Sequence, residues 1–157
     1  MNIIIMNNRA SFLVSFWSML IALLKEKGHA VTCLVPAGDP EAEATLQSLG
    51  ARIRNFPLDN KGLNPVHDLK TCLALYKVFR EERADILYAS TIKSVIYGVP
   101  MASLAGIKAR YAMITGLGYM FEADRPVKKL LTCVASLLYR VSLSFADAVF
   151  FQNSDDV

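Results

Sequence analysis

The chain has 157 residues, 54% of them apolar and 20% charged, which is enough for one ordinary core and excludes an intrinsically disordered chain. Lys and Arg number 17 against 14 Asp and Glu, a formal charge of +3 with cations and acids interleaved, so nucleic acid is disfavoured as a partner. A mean hydropathy of +0.34 is high for a water-soluble domain and raises the question of a membrane or partner surface.

In chain order, Asn2 to Met6 is a continuous apolar run that predicts a buried strand, and the polar Asn7-Asn8-Arg9 leads into a helix over about Phe12 to Lys27 stopped by Gly28. The apolar run Phe12 to Leu24 is interrupted by Ser15 and Ser18 and falls short of the roughly 20 residues that span a bilayer. A strand precedes it and no small-residue cleavage site follows, so it is not read as a secretion signal. Ala30 to Val35 is β-branched and ends at Pro36, a second buried strand. A short helix over Glu41 to Leu49, ended by Gly50, and a weaker strand over Ala51 to Phe56 come next.

Asn64-Pro65 reads as an N-cap with proline at the first helical position, opening a helix to about Arg83 whose apolar face is Leu69, Leu73, Tyr76 and Val78. Asp85 to Ala89 predicts a strand, Val95 to Ala105 a helix ended by Gly106, and Arg110 to Ile114 another strand. Pro126 opens a long helix to about Phe145, and Ala148 to Phe151 gives the last strand. The closing Gln152-Asn153-Ser154-Asp155-Asp156 has the character of a helix start, so the chain is expected to be the front part of a longer one. Cys33, Cys72 and Cys133 are odd in number, far apart and set among apolar neighbours, which predicts buried free thiols in a reducing cytosol.

Strands alternating with helices, several apolar along their whole length, predict an α/β class: a doubly wound, mostly parallel sheet with helices on both faces, Rossmann-like, in a single domain over 1–157. Ligands of such sheets bind at the carboxyl ends of the strands. After the first strand, Asn7, Arg9 and Ser11 offer an amide, a guanidinium and a hydroxyl at a helix N-terminus, a set suited to a sugar or an anionic phosphate. After the fourth, Ser90-Thr91-Ile92-Lys93 offers hydroxyls and an ammonium able to neutralise a pyrophosphate. Thr115-Gly116-Leu117-Gly118-Tyr119 has two glycines that permit close backbone approach, followed by aromatic residues, which suggests a mobile loop or an interface.

The first loop lacks the glycines of a dinucleotide fingerprint and no phosphate-loop Gly-Lys-Ser/Thr sequence occurs, which disfavours NAD and nucleoside triphosphates. His29 and His67 have no metal partner at ligand spacing and there is no G-x-S-x-G elbow, so no metal is expected and the catalytic residues are unknown. The helix from Pro126 sets Lys128, Lys129 and Arg140 beside Leu130, Leu131, Leu137 and Leu138, a pattern that serves either packing on the sheet or contact with an anionic membrane surface.

Taken together, several stretches resemble the N-terminal domain of family-four glycosyltransferases, retaining enzymes of the GT-B fold, in the bacterial branch that builds lipid-linked surface polysaccharides. They are Lys25-Glu26-Lys27-Gly28-His29-Ala30-Val31, Gly62-Leu63-Asn64-Pro65, Thr91-Ile92-Lys93 with Ile96-Tyr97-Gly98, Ile114-Thr115-Gly116-Leu117-Gly118-Tyr119, and Phe150-Phe151-Gln152-Asn153. The resemblance spans essentially the whole chain, and the order and strand-end placement of the pieces carry it. Tyr88 and Ser90 occupy the region where a histidine often follows the fourth strand, Asn7-Asn8-Arg9 stands in place of a glycine pair, and Trp17 stands where a basic residue is expected.

The resemblance implies an acceptor-side domain that is inactive alone, binding a lipid-linked saccharide acceptor through Asn7, Arg9, Ser11, Thr91 and Lys93. Thr115, Gly116, Gly118, Tyr119 and Asn153 would line the cleft to a C-terminal domain of the same protein. No cofactor is expected in this domain, because a nucleotide-sugar donor would bind mainly that second domain. The implied location is the cytoplasm, with peripheral contact at the cytoplasmic face of the inner membrane. The rival is a complete non-catalytic Rossmann-like binding module, or a split subunit docking on a partner chain; an NAD enzyme comes third, opposed by the glycine pattern.

Overall fold

The computed structural model describes residues 1–59, 64–115 and 126–152, with only the backbone described for 126–132. Among the described residues six strands form one sheet: β1 (Asn2–Met6), β2 (Ala30–Val35), β3 (Arg52–Asn55), β4 (Ile86–Ser90), β5 (Ala109–Ile114) and β6 (Ala148–Phe151). Their order is β3-β2-β1-β4-β5-β6 and every pairing is parallel, the doubly wound arrangement that the alternating pattern predicted. The described helices are α1 (Ala10–Glu26), α2 (Pro40–Ser48), α3 (Pro65–Glu82), α4 (Ile92–Ala105) and α5 (Pro126–Leu143).

The two-residue period of β1 divides the core. Ile3 and Ile5 pack with Leu13 and Ile21 of α1 and Leu46 of α2. Ile4 and Met6, one step out of phase, pack with Leu75 and Phe79 of α3, Val95 and Val99 of α4, and Tyr139 of α5. Two of the described helices therefore cover one face and three the other. Each of these fully buried aliphatic side chains contributes about 1.5–3 kcal/mol relative to exposure. Gly98 lets α4 lie close to the sheet, since a Cβ there would stand 2.7 Å from the Met6 sulfur.

Two expectations need correction. The outward face of α3, not its inward one, carries Leu69, Leu73 and Tyr76, and the side packed on the sheet is Thr71, Leu75, Val78 and Phe79. Leu73 is 61% exposed where Leu75 is 0%. Of the cysteines only Cys33 is buried, and burial pushes its thiol up to about 12; Cys72 is half-buried and Cys133 exposed. The other elements fall where the pattern put them, to within three residues at each end.

Candidate functional site

β1 and β4 lie side by side at the centre of the sheet, and the chain leaves β1 for α1 on one face and β4 for α4 on the other. The divergence opens a crevice between their carboxyl ends, the place where open α/β sheets take ligands.

A buried polar link floors this crevice. Asn7 is 0% exposed, and its Nδ2 donates to Ser90 Oγ at 2.8 Å, across 83 residues of sequence. Ser90 Oγ donates in turn to the Met6 carbonyl at 3.4 Å, and Asn7 Oδ1 accepts from the Arg9 backbone N–H at 3.0 Å. Asn7 is thus engaged at both ends of its amide, and it orients the turn that presents Arg9. Arg9 and Ser11 are exposed at the start of α1.

On the far wall a single residue, Thr91, separates β4 from α4. Its φ of +78° and ψ of 154° put a β-branched residue in a region used mainly by glycine, at a cost of about 1–3 kcal/mol. The Thr91 hydroxyl donates to Ser94 Oγ at 3.2 Å, and the Val95 N–H donates to the Thr91 carbonyl at 3.0 Å, beginning the helix.

Lys93 is anchored rather than projecting into solvent. Its ammonium donates to the Asp59 carbonyl and lies 4.0 Å from an Asp68 carboxylate oxygen. Burial, then the nearby Asp68 carboxylate, push the Tyr97 phenol above the ordinary range, so it stays protonated. Lys93 therefore ties the first turn of α4 to α3 and to the chain beyond β3.

The helix starts differ in a way that sorts with the crevice. Asp39 caps α2, accepting from Ala42 N at 3.2 Å, and Glu41 and Glu43 follow in its first turn. Asn64 caps α3 as expected, accepting from Val66 N at 3.1 Å, and Asp68 follows. The starts of α1 and α4 have no side-chain cap and no acid in the first turn. Their orphan N–H groups and positive dipole ends face the crevice end of the sheet, which favours an anion there.

Trp17 packs edge-on against Tyr88, ring centroids 5.0 Å apart, so the expected basic position is filled by an aromatic contact. Burial raises the Tyr88 phenol, which donates to the Met113 sulfur at 2.7 Å. Thr115 is half-buried just past β5, while Gly116, Gly118, Tyr119 and Asn153 lie outside the described residues. Beyond β2 and β3 a cleft of ≈ 550 Å³ opens beside the start of α3, lined by Pro36, Phe56, Leu58, Asp59, His67 and Lys70. Among the described residues no group of three His, Cys, Asp or Glu could hold a metal ion.

The structure gathers Asn7, Arg9 and Ser11 at the end of β1 and Thr91 and Lys93 at the end of β4, while the burial of Ser90 and Ser94 and the cleft were missed from the sequence. A serine ending an apolar strand was the one available signal for Ser90. Nothing in the residues near Thr91 signals a positive φ, because the position lacks a glycine.

A family model described as "Glycosyl transferase 4-like domain" matches residues 14–157. The N,N'-diacetylbacillosaminyl-diphospho-undecaprenol alpha-1,3-N-acetylgalactosaminyltransferase of Campylobacter jejuni is 29% identical over 157 residues, 99% of this chain and 41% of its own length. The chain therefore spans less than half of that relative. MurG of Acinetobacter baumannii superposes with a TM-score of 0.64 at 16% identity, over 99% of this chain and 42% of its own. A UDP-N-acetylglucosamine 2-epimerase superposes with a TM-score of 0.64 at 14% identity, over 98% of this chain and 42% of its own. At these identities the two structures share the fold.

Proposed function

Because the chain belongs to the glycosyl transferase 4-like domain family, we propose that it is the acceptor-side half of a glycosyltransferase that moves a sugar from a nucleotide donor to a lipid-linked saccharide. The observation that carries this reading is the crevice between β1 and β4, where two uncapped helix starts flank the exposed Arg9. That combination suits the diphosphate of a polyprenyl-linked acceptor. The activity in the Campylobacter relative's name, transfer to a diphospho-undecaprenol-linked sugar, supports the same choice.

In this reading Arg9 and the α1 start hold the acceptor diphosphate, Ser11 hydrogen-bonds its first sugar, and Asn7, Thr91 and Lys93 position the two walls. Thr115, just past β5, stands at the edge where a second domain would bring the donor. A general base is not assigned. Closure of the cleft would exclude water and strengthen each of these charge-assisted bonds.

The surface gives a reason for peripheral membrane contact. The stripe Val66, Leu69, Leu73 and Tyr76 on α3 is exposed, with Lys70 and Lys77 beside it, and α5 exposes Val134, Leu137 and Val141 near Arg140. None of the described helices is long and apolar enough to cross a membrane. A lipid-seated α3 would set its N-terminal end, and the strand ends beside it, near the headgroups that carry the acceptor diphosphate.

The test is transfer by the full-length protein from a panel of labelled nucleotide sugars to polyprenyl-diphosphate-linked saccharides in detergent. Label in the lipid fraction supports the reading. Label only in water, or none with any donor, overturns it.

A further inference from the structure

The strain at Thr91 has a specific setting. Ser90, the residue before it, is held inward by Asn7 Nδ2 at 2.8 Å, and the residues after it are already helical, with Val95 N bonded to the Thr91 carbonyl. The whole change of direction from strand to helix falls on one β-branched residue at φ +78°. A glycine would adopt that conformation without steric cost. Gly28, Gly38, Gly50 and Gly106 have positive φ in the loops between elements, and Arg83 is the remaining described non-glycine with a positive φ, at a helix end.

The elbow is also braced on its far side. Lys93 fastens the first turn of α4 to the Asp59 carbonyl and lies 4.0 Å from an Asp68 carboxylate oxygen. Ser94, fully buried, accepts the Thr91 hydroxyl at 3.2 Å. The start of α4 is thus restrained from the sheet through Ser90, from α3 through Lys93, and internally through Ser94. These restraints fix it against the Arg9 turn, which Asn7 holds from the opposite wall.

We infer that Thr91 is a positioning residue: its strained, braced elbow sets the uncapped first turn of α4 at a fixed separation from Arg9, the separation that suits the acceptor diphosphate. The inference rests on the acceptor-side reading above and adds a mechanism to it. A residue that merely joined strand to helix would be improved by glycine; one that sets a distance loses its use when the elbow is freed, because small displacements of a binding group weaken a pre-organised site.

The experiment uses the full-length protein and compares wild type, T91G and T91S. Three quantities are measured: melting temperature, steady-state KM for acceptor and donor separately, and binding of a polyprenyl-diphosphate-linked N-acetylhexosamine in mixed micelles. T91G is expected to melt at or above the wild-type temperature, to raise acceptor KM by about tenfold or more, and to leave donor KM unchanged. T91S, which keeps the hydroxyl, its Ser94 bond and the L-residue restraint, is expected to restore most of the acceptor affinity. Equal acceptor KM and binding in T91G and wild type overturns the inference and leaves the transferase reading intact. A T91G protein that melts lower and loses acceptor and donor affinity together also overturns it, assigning Thr91 a structural role only. A wild-type protein that neither transfers to nor binds the lipid-linked probe overturns both.

Discussion

At the scale of single residues, the link between Asn7 and Ser90 shows how a polar group far inside a sheet serves a site without touching its ligand. Both side chains are fully buried, and each satisfies the other. Asn7→Ala removes the donor to Ser90 Oγ and the acceptor of the Arg9 N–H and is expected to cost about 1–3 kcal/mol in urea unfolding of the full-length protein. Ser90→Ala strips the other end. The double variant is expected to cost less than the sum of the two, with the shortfall measuring the coupling; strictly additive costs would contradict the link. The polarity of Asn7 was legible in the sequence but its burial was not, since its partner lies 83 residues away and only the fold brings them together. Lys93 was misleading in the same way: a lysine at a strand end reads as a ligand cation, while the carboxylate that anchors it sits on another helix.

At the scale of elements, boundaries were legible and faces less so. Glycine stops and proline starts are local chemistry, and Gly28, Gly106 and Pro65 mark ends where the residues alone suffice. The face of α3 is decided by tertiary packing. The helix has two apolar stripes, and the buried one is interrupted by Thr71, whose hydroxyl is satisfied by the Pro57 and His67 carbonyls at 2.8 and 3.0 Å. Periodicity alone favours the unbroken stripe, which faces outward. Leu75→Ala is accordingly expected to cost about 2–5 kcal/mol, while Leu73→Ala stays within about 0.5 kcal/mol. Leu69→Ser with Leu73→Ser is expected to weaken sedimentation of the full-length protein with anionic phospholipid vesicles at unchanged melting temperature. Equal stability costs at Leu73 and Leu75 would return the stripe to the core; unchanged vesicle binding would remove it from the membrane reading.

For the whole molecule, the parallel order β3-β2-β1-β4-β5-β6 fixes where a ligand belongs before any residue is considered, and alternation in the sequence was enough to predict that class. Which helix starts are left open to an anion was readable only in part: the caps Asp39 and Asn64 are visible as residues, but the strain at Thr91 runs against its intrinsic preference and leaves no local trace. The division of labour, acceptor on this half and donor elsewhere, is the central claim. Its most direct test is photo-crosslinking of the full-length protein, using a photoactivatable polyprenyl-diphosphate saccharide in one arm and a photoactivatable nucleotide sugar in the other, with the labelled peptides mapped by mass spectrometry. The account predicts acceptor label on peptides containing residues 7–11 and 90–94 and nucleotide label mainly outside residues 1–157. Nucleotide label concentrated on residues 7–11 and 90–94, with acceptor label elsewhere, would contradict it.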